Sequence, residues 1–192
     1  AQEPRRARQP AEPFQVSWNR EPVDASGFPG PQAFEASLAA LVEAGNRSET
    51  SSGVMLVKVD RGDALKSRFG DAGGEKLTLK LGSVLCRAIR DEDLVCRLQE
   101  DVYGVLLANV DDQAGAALAE AIRDSVRHYH FRIDEAGEEV LVTASFGYSP
   151  CRPFENAELV LNRAGDALAR SQKRGRNQLH LHDGAQLAAA PV

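Results

Sequence analysis

The sequence predicts a layered domain, α/β or α+β, with helices packed on a β-sheet. Three observations carry this. Strand-like and helix-like patterns alternate along the chain in mixed order, the mark of helices layered on a sheet. A β-branched run, Val54 to Val59, reads as a buried strand. An apolar alternation broken at Gln99-Glu100-Asp101 reads as a β-hairpin.

The elements follow in order. Six of the nine prolines lie in the first 31 residues among Arg, Gln and Glu, so residues 1–26 read as a proline-rich linker or the end of an upstream region. Residues 27–183 form the domain and 184–192 a C-terminal tail. Pro31 suits a first helical turn; Phe34, Leu38, Leu41 and Val42 recur at helical spacing, and Gly45 reads as the stop. After the Val54–Val59 strand, a charged, glycine-rich stretch through Glu75 reads as a loop. Leu77, Leu81, Val84, Leu85 and Ile89 then mark a second helix. Leu94 to Leu98 and Val102 to Leu107 are the arms of the hairpin. A third helix, about Asp112 to His128, carries Leu118, Ile122 and Val126 on one stripe. Phe131 to Ile133 and Val140 to Tyr148 read as strands paired around Glu135-Ala136-Gly137. Asn156 caps a last helix with Leu159, Leu161, Ala164 and Leu168, ended by Gly175 and followed by a strand from Gln178 to Leu181. There are no internal repeats.

Composition excludes several functions. With 192 residues and 43% apolar content, the chain builds one domain with a real core. A net charge of −5 disfavours nucleic acid or anionic lipid as a partner by charge alone. No stretch approaches the roughly 20 apolar residues of a membrane span, so no membrane contact by this fragment is expected. Cys86, Cys96 and Cys151 form no CxxC pair and leave an odd count, which suits reduced thiols in the cytoplasm and no zinc site. The chain opens on Ala1, which reads as a fragment tethered through an upstream segment.

Generic chemistry is sparse. The histidines occur as His128-Tyr129-His130 and His180-Leu181-His182 and read as exposed or strand-end residues; no Ser-His-Asp or Cys-His set can be assembled. Gly70-Asp71-Ala72-Gly73-Gly74-Glu75-Lys76 fails the phosphate-loop spacing. Arg170, Lys173, Arg174 and Arg176 close a helix, where cations complement its dipole.

The ordered set of segments is more specific. From Gly27 to Asp183 the chain resembles the GGDEF domain of diguanylate cyclases, which join two GTP into cyclic di-GMP. Val54-Met55-Leu56-Val57-Lys58-Val59-Asp60 resembles the family's first strand and its DxD, and Phe69-Gly70 through Gly74-Glu75 resembles FGHxxGD. Arg97-Leu98 precede the hairpin turn, Thr143-Ala144-Ser145-Phe146-Gly147 is similar to TxSxG, and Arg163 to Leu168 through Gly175-Arg176-Asn177 is similar to RADxALYxAKxxGRN. The resemblance implies an α/β (α+β) fold with a central mixed β-sheet flanked by helices, the palm-like sheet of nucleotidyl cyclases.

It also implies a degenerate site. The family's first metal Asp matches Lys58, and the signature is Gln99-Glu100-Asp101-Val102-Tyr103, which keeps the metal carboxylate Asp101 and an aromatic, Tyr103. A lysine does not hold Mg²⁺ while charged; unit charges 4 Å apart repel by ~4 kcal/mol at an effective dielectric of 20, and about twice that against a divalent ion. Lys58 is expected instead to pair with Asp101 in place of an ion. Gln99 and Glu100 add bulk where glycines let nucleotide approach. The guanine-reading Asn matches Lys66, its partner Asp matches Glu75, and a phosphate-binding Lys matches Gln172, with Arg176 retained. The expectation is a non-enzyme with no metal and no cofactor, Mg²⁺ included. A residual GTP-binding reading rests on Glu75, Asp101 and Arg176.

One ligand motif survives. Arg90-Asp91-Glu92-Asp93 matches the family's RxxD inhibitory site, with Asp93 six residues before the signature. Arginine forks onto guanine O6 and N7 while a carboxylate accepts from N1 and N2, so Arg90 and Asp93, with Arg87 and Arg97 as helpers, suit cyclic di-GMP as a regulatory ligand. The bland counterpart is an ordinary surface ion pair. The functional expectation is a catalytically inactive regulatory domain in cyclic di-GMP signalling, a receptor for that nucleotide through the RxxD site. The alternative is a dimerisation or protein-interaction module that binds no nucleotide. Partners are accordingly cyclic di-GMP, a second copy in a homodimer, or other domains and proteins of the pathway.

Overall fold

The computed structural model describes residues 14, 15, 18 and 25–190; most of the expected linker lies outside the described residues. α1 (Pro31–Ser48) starts with Pro31 in its first turn and buries Phe34, Leu38 and Leu41. Gly45 does not stop it. The helix runs one turn further and closes at Glu49, in the left-handed region at φ 52, with the Thr50 amide donating to the Gly45 carbonyl at 3.1 Å. A Cβ on Gly45 would lie 2.9 Å from the Thr50 carbonyl oxygen, so this glycine lets the chain fold back across the helix end.

β1 (Ser52–Val59) leads into α2 (Gly62–Ala88), which corrects the expected loop through Glu75. The stretch is helical, with a break at Gly70 (φ 75, ψ 169). Gly73 and Gly74 serve close packing between turns. A Cβ on Gly73 would sit 2.8 Å from Phe69 Cβ, and one on Gly74 2.6 Å from Lys66 Cγ.

β2 (Leu94–Gln99) and β3 (Val102–Leu107) form the expected hairpin, with a register shift between Arg97 and Gln99. α3 (Asp112–Arg127) is capped by the Asp111 carboxylate, which accepts from Ala114 N at 2.7 Å. The strand expected over Val140–Tyr148 is two pieces. β4 (Phe131–Arg132) and β5 (Glu139–Val140) make a separate ribbon, and β6 (Ala144–Cys151) joins the main sheet. The chain changes sheets at Thr143, whose carbonyl accepts from Asp60 N at 2.8 Å. α4 (Ala157–Lys173) is capped by Asn156 as expected. β7 (Leu179–His182) pairs parallel to β6, and β8 (Leu187–Ala189), within the expected tail, pairs antiparallel to β7.

The main sheet runs β2-β3-β1-β6-β7-β8 and is mixed, only the β6–β7 pair being parallel. Its centre is buried on both faces. Met55, Val57, Tyr103 and Phe146 meet Leu77, Leu81, Leu85 and Ile122 on the side of α2 and α3. Val54, Leu94 and Leu106 meet Phe34, Leu38, Val160 and Ala164 on the side of α1 and α4. A Cβ on Gly147 would overlap the Leu168 amide nitrogen and Ala164 carbonyl and lie 2.7 Å from Leu168 Cα, so α4 rides directly on β6.

Candidate functional site

At one end of the sheet the β2–β3 turn folds over the end of β1. Val59 N donates to Asp101 O at 2.9 Å, and Lys58 lies opposite Val102 in the ladder. Gly62, the first residue of α2, leaves room for the Asp101 carboxylate, whose Oδ2 would be 3.5 Å from a Cβ there. β1 and α2 therefore converge on the β2–β3 turn.

What they bring is a set of ion pairs. Lys58 Nζ lies 3.7 Å from Asp101 Oδ2. Lys66 pairs with Glu100, and that hydrogen bond holds its ammonium above the usual lysine range. Arg97 forks onto Glu75, with Nη1–Oε1 and Nη2–Oε2 both at 2.7 Å, and donates to the Glu100 carbonyl from Nη2 at 2.6 Å. Lys58, Lys66, Glu75, Glu100 and Asp101 thus come together, each cation facing a carboxylate. Tyr103 belongs to the core, its hydroxyl donating to Thr78 O at 2.9 Å. Gln99 is exposed on the turn. Gln172, half-buried on α4, and Arg176, exposed beyond it at φ 67, complete the matched positions. Asp60 has a structural role. It is buried and accepts from Thr143 Oγ1, Ser145 Oγ and Asn177 N at 2.6–2.9 Å, which ties β1 to β6 and to the start of β7.

The Mg²⁺ that the family implies does not fit these residues. An ammonium stands beside Asp101, the Asp60 carboxylate is spent on three donors, and Glu75 is forked by Arg97. No three His, Cys, Asp or Glu side chains gather to hold a metal among the described residues.

The Arg90–Asp93 corner lies between α2 and β2. Asp93 is 1% exposed and has four donors: Arg90 N (3.0 Å), Arg90 Nε (3.0 Å), Arg90 Nη2 (2.8 Å) and Ala108 N (3.1 Å). Arg90 Nη2 also donates to Ala108 O at 2.7 Å, and Nη1 pairs with Glu92 Oε1 at 2.5 Å. The pair is therefore a staple between the loop before β2 and the end of β3. A cavity of about 290 Å³ opens beside it, lined by Phe28, Cys86, Ile89, Arg90, Asp91 and Asp93 among others. The expected helpers do not join. Arg87 stacks on Tyr129 at 5.4 Å, and Arg97 is committed to Glu75 at the turn.

Sequence reasoning paired Lys58 with Asp101 but missed Lys66–Glu100 and Arg97–Glu75; the opposite charges at matched positions were the available signal. It also placed the histidines on the surface or at strand ends, whereas His180 is buried in β7 with Nδ1 2.8 Å from Ser171 Oγ.

The site thus sits on an α+β domain, a mixed six-stranded sheet with helices on both faces and a hairpin turn clasped over β1, one of its two central strands. The family model described as "Diguanylate cyclase, GGDEF domain" matches residues 24–178, and the chain belongs to that family. Diguanylate cyclase A of Treponema denticola is 29% identical over 138 residues, 71% of this chain and 36% of its own length. Probable diguanylate cyclase DgcE of Escherichia coli K12 is 26% identical over 157 residues, 82% of this chain and 14% of its own length. The match thus spans about a third or less of these relatives. Among solved structures, the GGDEF domain of YfiN (TpbB) from Pseudomonas aeruginosa superposes with a TM-score of 0.75 at 23% identity, covering 82% of this chain and 98% of that one. The GGDEF domain of DgcB from Caulobacter crescentus, in complex with c-di-GMP, gives 0.77 at 19% identity, covering 85% and 93%. No described helix is long and apolar enough to cross a membrane.

Proposed function

We propose that this GGDEF domain is catalytically silent and serves cyclic di-GMP signalling as a regulatory receptor. One observation carries the loss of catalysis: the Lys58 ammonium stands 3.7 Å from Asp101, where two-metal phosphoryl transfer needs a cation-binding carboxylate pair. The Lys66–Glu100 and Arg97–Glu75 pairs support it, because GTP would have to break both to reach the turn. The test is cyclic di-GMP synthesis from GTP and Mg²⁺ by the purified chain. No product is expected, and Lys58→Asp is expected to gain Mn²⁺ binding in solution; turnover by the wild-type chain overturns the reading.

The receptor role is supported by the RxxD corner, its adjoining cavity and the c-di-GMP complex of the structurally similar DgcB. Binding there requires guanine to compete with Glu92 for Arg90 Nη1 and with Asp93 for the rest of the fork. Calorimetric titration with cyclic di-GMP reads it; micromolar binding lost in Arg90→Ala is expected, and no heat at high protein concentration refutes it. A second reading, a protein-interaction module, is favoured by exposed apolar side chains, Phe154 at 77% and Leu141 at 86%. The similar cyclase SiaD of Pseudomonas aeruginosa was crystallised with its activator SiaC.

A further inference from the structure

Two residues ahead of the domain are docked on it, and both grip the frame of the Arg90–Asp93 staple. Trp18 Nε1 donates to the Glu92 carbonyl at 3.0 Å. Phe14 is held through its backbone by one side chain: its N–H donates to Asn109 Oδ1 at 3.1 Å, and Asn109 Nδ2 donates to its carbonyl at 2.8 Å. The Asn109 amide thereby pairs with both backbone groups of Phe14, as a neighbouring strand would. Both aromatic rings pack against the cluster that contains Leu94, Leu106 and Ala108.

The residues they hold are the ones that close the corner. The Glu92 carboxylate pairs with Arg90 Nη1, while its carbonyl carries Trp18. Ala108, immediately before Asn109, donates to Asp93 and accepts from Arg90. Asn109 itself sits in the left-handed region at φ 51, so a shift of its backbone moves Ala108 and the Phe14 anchor together.

We infer that docking of Phe14 and Trp18 and closure of the Arg90–Asp93 corner are one coupled equilibrium. With both anchors in place, Glu92 and Ala108 are fixed where they satisfy Arg90 and Asp93, and the guanidinium fork is withheld from an incoming guanine. When a ligand draws Arg90 away, Glu92 and Ala108 are released and the anchors loosen. The docked residues are thus an autoinhibitory contact through which the chain ahead of the domain and the ligand corner oppose each other. Linkage makes the effect reciprocal, since whatever frees the anchors raises ligand affinity by the factor with which ligand frees the anchors.

Trp18 is the single tryptophan of the chain, so its emission reports docking. Acrylamide quenching is measured first without nucleotide, on the wild type, Asn109→Ala, Arg90→Ala and the milder Glu92→Gln, with far-UV circular dichroism confirming the fold. Quenching is expected to rise in all three variants toward that of the urea-unfolded chain. A rise in Asn109→Ala alone overturns the coupling, and a rise in none overturns the docking. Cyclic di-GMP is then titrated calorimetrically into the wild type and Trp18→Ala. This arm rests on the receptor reading. Trp18→Ala is expected to bind about fivefold tighter or more, the lower end of allosteric coupling, and saturating nucleotide to raise Trp18 quenching in the wild type. Equal affinities overturn the inference. Absence of binding by both proteins removes the receptor reading instead, and the nucleotide-free quenching then decides the coupling alone.

Discussion

Replacing Asp93 with alanine separates a staple from a ligand contact. In the folded chain the Asp93 carboxylate is buried and accepts from two backbone amides, Arg90 N and Ala108 N, and from two nitrogens of the Arg90 guanidinium. Ala108 is fully buried, so its orphaned N–H costs about 1–2 kcal/mol. The Arg90 amide is half-buried and partly rehydrates, for roughly 0.5 kcal/mol. The guanidinium is about a third exposed and keeps Glu92 and Ala108 O, so its loss is discounted to about 1 kcal/mol. The sum is about 3 kcal/mol, which lowers the melting temperature by about 6–12 °C for a domain of this size. Asp93→Asn, which keeps one acceptor oxygen, is expected to lose less than half as much. Thermal unfolding followed by circular dichroism reads both. Should Asp93→Ala melt within about 2 °C of the wild type while cyclic di-GMP binding disappears, Asp93 is a ligand group and the staple argument is refuted.

Three further outcomes follow from single contacts. Burial, reinforced by the charges of Arg170 and Arg174, pushes His180 below its ordinary value of 6.5, so the folded state binds fewer protons than the unfolded one between the two values. That stability is complete above about pH 6.5 and is lost as pH falls toward the lowered value; melting at about pH 8 and about pH 5.5 should differ more in the wild type than in His180→Phe. Phe154 is held at φ 71 and largely exposed. Phe154→Gly removes a left-handed penalty of about 1–2 kcal/mol and adds about 0.4–1 kcal/mol of unfolded-chain entropy, so urea midpoints should rise modestly; a fall would show that the ring packs on something in the fold. Gly147→Ala drives a methyl into the α4 backbone, which no rotamer change relieves. A loss of about 3 kcal/mol or more is expected in urea unfolding, and near-neutral behaviour would mean that α4 is free to lift off β6.

The scaffold was legible wherever local pattern and tertiary role agree. Val54–Val59 is β-branched because β1 is covered on both faces, and Gln99-Glu100-Asp101 breaks an alternation because the chain reverses there. It was misread where residues serve close packing. Gly73 and Gly74 read as loop but bring the turns of α2 into contact, and Gly45 read as a stop but seats the Thr50 carbonyl. β8, a short Leu-Ala-Ala strand, carries no β-branched signal and exists because the β7 edge is there to pair with. Trp18 and Phe14 sit in a proline-rich stretch whose composition says linker; only the fold shows that Asn109 and Glu92 are waiting for them.

The site was legible as a set of absences, and its physical content lay in pairs distant in sequence. Lys58, Lys66 and Gln99 stand where the resemblance places a metal carboxylate, a guanine-reading Asn and a glycine, which is what the proposed loss of catalysis rests on. That Arg97 meets Glu75 across 22 residues, and that Lys66 meets Glu100, follows only from the turn folding over β1 and the first turns of α2. The pairs balance the charges that meet at the turn. A bare carboxylate cluster left without its cation would repel itself, and a lysine introduced into an intact metal site would be equally unsupported. Each carboxylate at this turn instead faces a cation carried by another element. Charge at that end of the sheet is therefore balanced within the chain, while the Arg90 corner is tied through Glu92 to Trp18 and through Ala108 and Asn109 to Phe14.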